Sequence, residues 1–116
     1  MSDIIDLKDA IERVQDDKEL LLELFEIFQE DFPGKRDAIL AAFTKGDVNT
    51  FLQLAHGLKG ATGNISARQM HENCIELDRM GREGNLTGAG ERLELLDKQY
   101  EAFKAEAAKL KTQFGK

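Results

Sequence analysis

The sequence predicts an all-α protein, an antiparallel four-helix bundle with a short extra helix at its N-terminus. Three observations predict it. Ala, Leu, Glu, Lys and Gln are common, Val, Ile and Thr are sparse, and there is one proline, a balance that favours helices over strands. Apolar residues recur at steps of three and four through successive segments, with no alternating run long enough for a strand. The connections are short, which makes consecutive helices antiparallel neighbours. With 116 residues, 41% hydrophobic and 33% charged, the chain suits one domain, residues 1–116, around one core.

The first helix is expected from Ile4 to Val14, with Ile4, Leu7, Ile11 and Val14 on one side. In "DDKELLLELFEIFQEDF", Asp16 followed by Glu19 resembles a capping box. Leu20, Leu21, Leu24, Phe28 and Phe32 continue the stripe. Pro33-Gly34 leaves two outcomes open, a kinked long helix or a break with Pro33 at the start of a new segment. Ile39, Leu40 and Phe43 resume the pattern, and Lys45-Gly46 is a stop signal. Asp47 can cap the next helix, expected over about residues 47–63, whose apolar side is Val48, Phe51, Leu52, Ala55 and Leu58. Ser66 and Gln69 make a second capping box ahead of Met70, Cys74, Leu77 and Gly81. In the last helix Leu93, Leu96, Tyr100, Phe103, Ala107, Leu110 and Phe114 alternate in steps of three and four, a heptad pattern that fits one seam of a bundle.

Charge and cysteine content narrow the function. The net charge is −6 and no basic run is present, which argues against nucleic acid and against anionic membrane surfaces as partners. Cys74 is the one cysteine and has no internal partner, which fits a reducing compartment. The start "MSDIIDLKDA" lacks the pattern of a signal peptide, and the longest stretch free of charged side chains, Val48 to Leu58, is too short to span a bilayer. A cytoplasmic protein is expected. Monomer is the default, because one bundle completes a core, although the heptad stripe keeps dimerisation open.

The third helix carries an unusual stretch, "AHGLKGATGN", with three glycines around a histidine. Each interior glycine costs roughly 1 kcal/mol relative to alanine, so something should compensate. On a helical wheel His56, Lys59, Gly60 and Gly63 share a stripe at the solvent margin of the apolar face. A solvent-facing imidazole is mostly neutral at pH 7 and is then a usable nucleophile. A phosphoryl group taken up there would add roughly two negative charges, which Lys59 could meet across one turn. Gly60 and Gly63 would leave a partner room to reach the ring. Gly63 can also be read as a helix C-cap. Gly57 lies off this stripe.

These residues resemble a known signature. "HGLKGATGNISA" is similar to the H-x-L-K-G motif of histidine-containing phosphotransfer (HPt) domains, and "LLELFEIFQEDFPGKRDAILAAFTKGDVNTFLQLAHGLKG" follows that family's order of two helical segments, a "GD" turn and the histidine helix. The resemblance covers roughly the whole chain by element order. It implies a phosphorelay intermediate that carries a phosphoryl group on His56 between receiver-domain aspartates, with Lys59 as the charge partner. It implies a carrier rather than an autonomous enzyme, with no cofactor of its own and Mg²⁺ supplied by the partner receiver. The partners implied are receiver domains of response regulators, a hybrid histidine kinase, or both. Gly60, Gly63, Gln53 and Asn64 are the residues expected to meet them. Where many members have a second glycine, this chain has Ser66, read here as a helix cap.

On the following helix His71, Ile75 and Asp78 form a margin stripe, and the resemblance implies that Asp78 could hold the imidazole through its second nitrogen. From the residues alone, Asp78 and His71 are read as surface side chains. Other chemistry fits poorly. A di-metal bundle needs Glu three residues before each histidine, whereas Gln53 and Arg68 stand there, so no metal site is expected. No P-loop is present. The alternative to a carrier is an adaptor bundle that docks receivers without being phosphorylated.

Overall fold

The computed structural model describes residues 4–115, so the expected domain limits at residues 1 and 116 lie outside it. Five helices follow in order: α1 (Leu7–Arg13), α2 (Lys18–Lys45), α3 (Val48–Asn64), α4 (Arg68–Glu83) and α5 (Ala89–Phe114). The described residues contain no strand. α2 packs on α3, α3 on α4, α4 on α5 and α5 back on α2, which closes a four-helix bundle, with α1 against α2. Pairs across the α2–α5 seam run in opposite order. Arg36 bonds Asp97 (2.8 and 2.5 Å) and Lys111 approaches Glu26 (3.5 Å), so the two long helices are antiparallel.

Capping residues set most boundaries. Asp6, Asp17 and Asp47 each accept from a backbone N–H three residues on, at 3.2, 3.0 and 3.1 Å. The cap of α2 is therefore Asp17, not Asp16, which turns left-handed with φ 67° in the preceding loop. Gly46 and Gly84 end α2 and α4 in left-handed geometry that suits glycine. The expected second capping box does not form. Ala67 is the N-cap of α4 and makes no side-chain bond. Ser66 instead takes φ 56°, and its hydroxyl donates to Asp9 at 2.6 Å, while its carbonyl accepts from Asp6 N–H at 2.9 Å. The α3–α4 turn is thereby tied to α1, which begins at Leu7 rather than Ile4.

Pro33 does not break α2, which runs unbroken as one helix of 28 residues. Proline lacks the N–H that the Gln29 carbonyl would accept one turn back. Tyr100 supplies a donor in its place, its hydroxyl bonding that carbonyl at 3.0 Å. The Tyr100 ring stacks on Phe32 at 4.3 Å, beside a cluster in which Phe28 and Phe25 meet Phe103 at 5.3 and 5.4 Å. The α5 stripe from Leu93 to Leu110 is buried in the bundle, with Phe114 partly buried at its end.

The α3–α4 seam positions the site. Gly81 faces Leu52, and a methyl group added there would lie 3.1 Å from the Leu52 Cα. Further along, Gly63 faces His71, whose Cε1 would be 2.8 Å from an added Cβ. Gly81 thus lets the α4 backbone approach α3, Gly63 makes room for the His71 ring, and His56 and Asp78 face each other between them.

Candidate functional site

His56 stands on the third turn of α3, one residue past the buried Ala55, which directs its imidazole outward. Its side chain is 72% exposed. Asp78 comes from α4 and is 1% exposed, so it is neither at the margin nor on the surface. His56 Nδ1 lies 3.4 Å from Asp78 Oδ1. That is close enough for an ion pair and longer than a well-formed N–H···O bond, and Oδ1 has no hydrogen-bond partner. The other carboxylate oxygen, Oδ2, meets Lys59 Nζ at 3.0 Å and Arg82 Nη2 at 3.0 Å. Burial of the carboxyl raises its pKa. The hydrogen bond from Lys59 and the charges of Lys59 and Arg82 together outweigh this and hold it below the ordinary aspartate value.

Lys59 is a partner of Asp78 before any ligand arrives, which the reading of Lys59 as a free charge partner did not anticipate. Arg82 went unnoticed in the sequence, although its spacing of four from Asp78 on one helix is a readable signal. Gln53, Gly60 and Asn64 are exposed, and nothing lies within 4 Å of a Cβ built on Gly60. Asn64 borders a groove of about 110 Å³ between α2 and α3, with Leu24, Ile27 and Ala61 among its walls.

Gly63 is corrected on both counts. It is not an open position, because the His71 ring covers it. It is not the C-cap, which is Ile65, since α3 runs from Val48 to Asn64. His71 is half-buried, and its Nδ1 donates to the Lys59 carbonyl at 2.9 Å. A carbonyl only accepts, so the proton is on Nδ1. Gly57 is exposed with nothing within 4 Å of an added Cβ, and nothing in the structure explains a glycine there.

Cys74 is buried, and burial pushes its thiol up to about 12, with a hydrogen bond to Thr62 acting the other way. It is a packing residue. Among the described residues no three His, Cys, Asp or Glu side chains are grouped to hold a metal ion, and no helix is long and apolar enough to cross a membrane. The arrangement presents one accessible imidazole, backed by a carboxylate on the Nδ1 side and flanked by an ammonium group.

Residues 23–106 match the protein family described as Hpt domain. The structure is similar to the crystal structure of histidine-containing phosphotransfer protein B (HptB) from Pseudomonas aeruginosa PAO1, with 25% sequence identity, 94% of this chain and 98% of that chain covered, and a TM-score of 0.72. No curated protein sequence matches the chain.

Proposed function

This chain belongs to the histidine-containing phosphotransfer (Hpt) domain family, and on that premise we propose that it takes a phosphoryl group onto His56 from one receiver-domain aspartate and hands it to another. Hpt proteins are phosphocarriers of phosphorelays, acting with receiver domains and kinases. The observation that carries the specific reading is the pairing of an imidazole 72% exposed with a buried carboxylate behind its Nδ1. A proton held on Nδ1 toward Asp78 leaves the Nε2 lone pair outward as the nucleophile.

The step exchanges one bond for another between this chain and the receiver. Nε2 attacks the phosphorus of a receiver aspartyl phosphate, the P–O bond breaks, and the receiver carboxylate leaves with the electron pair. Nδ1 keeps its proton, so the ring becomes an imidazolium, and Asp78 faces the positive charge as it forms. Lys59 counters the phosphoryl oxygens. Running the step in reverse on a second receiver completes the relay. Gly60, Gln53 and Asn64 form the exposed surface around His56 that a receiver would meet.

The test is phosphotransfer from a radiolabelled, phosphorylated receiver domain. Wild type is expected to gain label that is stable to alkali and labile to acid, and His56→Gln to gain none. Complex formation without label, across a broad panel of receivers, would overturn the carrier reading in favour of an adaptor.

A further inference from the structure

Asp78 holds more positive charge than one carboxylate needs. Lys59 and Arg82 both reach Oδ2 at 3.0 Å, from different helices, while Oδ1 faces His56. The two cations are not equivalent. Lys59 lies one turn from His56 on the same helix, within reach of a group attached to the imidazole. Arg82 lies one turn beyond Asp78 on α4, with its side chain 61% exposed. A phosphoryl group on His56 would draw Lys59 away from Asp78. Without a second cation that move would leave Oδ2 of a carboxylate 1% exposed with no partner, its one counter-charge the imidazolium 3.4 Å from Oδ1, and a buried carboxylate oxygen left unpaired is costly.

We propose that Arg82 is a positioning residue for the phosphorylated state: it keeps Asp78 paired while Lys59 transfers from the carboxylate to the phosphoryl oxygens. The proposal rests on the carrier reading and adds a residue outside the histidine motif. In the unphosphorylated protein Lys59 and Arg82 share Oδ2. In the phosphorylated protein Lys59 neutralises the phosphoryl group, Arg82 stays on Asp78, and Asp78 stays opposite Nδ1. Arg79, the nearest other arginine on α4, is tied to Glu76 and Glu83 and is not available for this part.

The experiment is the equilibrium partition of phosphoryl groups between a phosphorylated receiver domain and this protein. It compares wild type, Arg82→Gln, Arg82→Lys, Asp78→Asn and the double variant Asp78→Asn/Arg82→Gln, with thermal unfolding of each. Arg82→Gln is expected to move the partition toward the receiver by roughly tenfold, as one of the ion pairs that hold a buried carboxylate is lost. Arg82→Lys should restore most of it. On the Asp78→Asn background, Arg82→Gln should change nothing further, because no carboxylate remains to be held. A purely structural part would lower the thermal midpoint and leave the partition unchanged, and that result overturns the proposal. So does an equal loss on both backgrounds, which would place the action of Arg82 elsewhere. A wild type that takes no label overturns the carrier reading and this proposal with it, whereas label on wild type with an unchanged Arg82→Gln partition overturns this proposal alone.

Discussion

Asp78 and His56 face each other across the α3–α4 seam at 3.4 Å, a carboxylate 1% exposed behind an imidazole 72% exposed. The carboxylate sees one nitrogen and solvent sees the rest of the ring. Asp78→Asn keeps the shape and removes the charge. Its initial rate of phosphoryl uptake from a labelled receiver is expected to fall by about tenfold or more, since the charge opposite the forming imidazolium is lost. An unchanged rate would mean that the carboxylate has no part in the transfer.

The same carboxylate predicts a pH dependence of stability. Burial raises the Asp78 pKa, but Lys59 and Arg82 bring it below the ordinary value in the folded state. In the unfolded chain it returns to about 3.9. Above that value the carboxyl is ionised in both states and its whole contribution is present. The contribution is lost as pH falls through the depressed folded value. In urea unfolding, the stability gap between wild type and Asp78→Asn should hold steady above about pH 5 and close below about pH 4. A gap that stays open in acid would show that it comes from shape and not from charge.

Gly60 and Gly63 should respond oppositely to alanine. An added Cβ at Gly60 meets nothing within 4 Å. Gly60→Ala should therefore raise stability by up to about 1 kcal/mol. If a receiver seats there, the variant should also raise the receiver concentration needed for half-maximal transfer. Gly63→Ala puts its Cβ 2.8 Å from the His71 ring, and should lose roughly 1–3 kcal/mol as that ring is forced off the Lys59 carbonyl. Denaturant unfolding and a receiver titration read both effects.

Tyr100 and Pro33 should be coupled. The Tyr100 hydroxyl bonds the Gln29 carbonyl at 3.0 Å, where Pro33 offers no backbone donor. Tyr100→Phe is expected to cost about 1–2 kcal/mol. On a Pro33→Ala background, with the N–H restored, the same change should cost less. A double-mutant cycle in urea measures the difference, and strict additivity would break the link.

Ser66 holds a left-handed φ of 56° and an outgoing bond to Asp9 at 2.6 Å. Ser66→Gly loses the bond and relieves the backbone, whereas Ser66→Ala loses the bond and keeps the strain. Thermal unfolding should rank wild type first on the bond or glycine first on the strain, but alanine below glycine in either case, by about 1 kcal/mol. Alanine equal to glycine would show that the turn carries no strain.

The bundle was legible because helix period, capping aspartates and short loops are local properties that neighbouring residues encode among themselves. The motif around His56 was legible for the same reason: His56, Lys59 and Gly60 lie on one helix, and spacing alone places them together. What only the tertiary structure decided depends on residues far apart in the chain. Asp78 lies on the same helix as His71 and Ile75, and its periodicity placed it at a margin. Its burial goes with the packing of α4 against α3, close at Gly81 and Leu52. Gly63 reads as open or as a cap until His71 is seen lying on it. Ser66 reads as a helix cap until α1 folds back to receive its hydroxyl. Pro33 reads as either a kink or a break until Tyr100, on another helix, satisfies the carbonyl it orphans. Each of these is settled by a contact between segments that hydrophobic spacing does not register, because spacing records which face of a helix is apolar and not which polar group waits opposite.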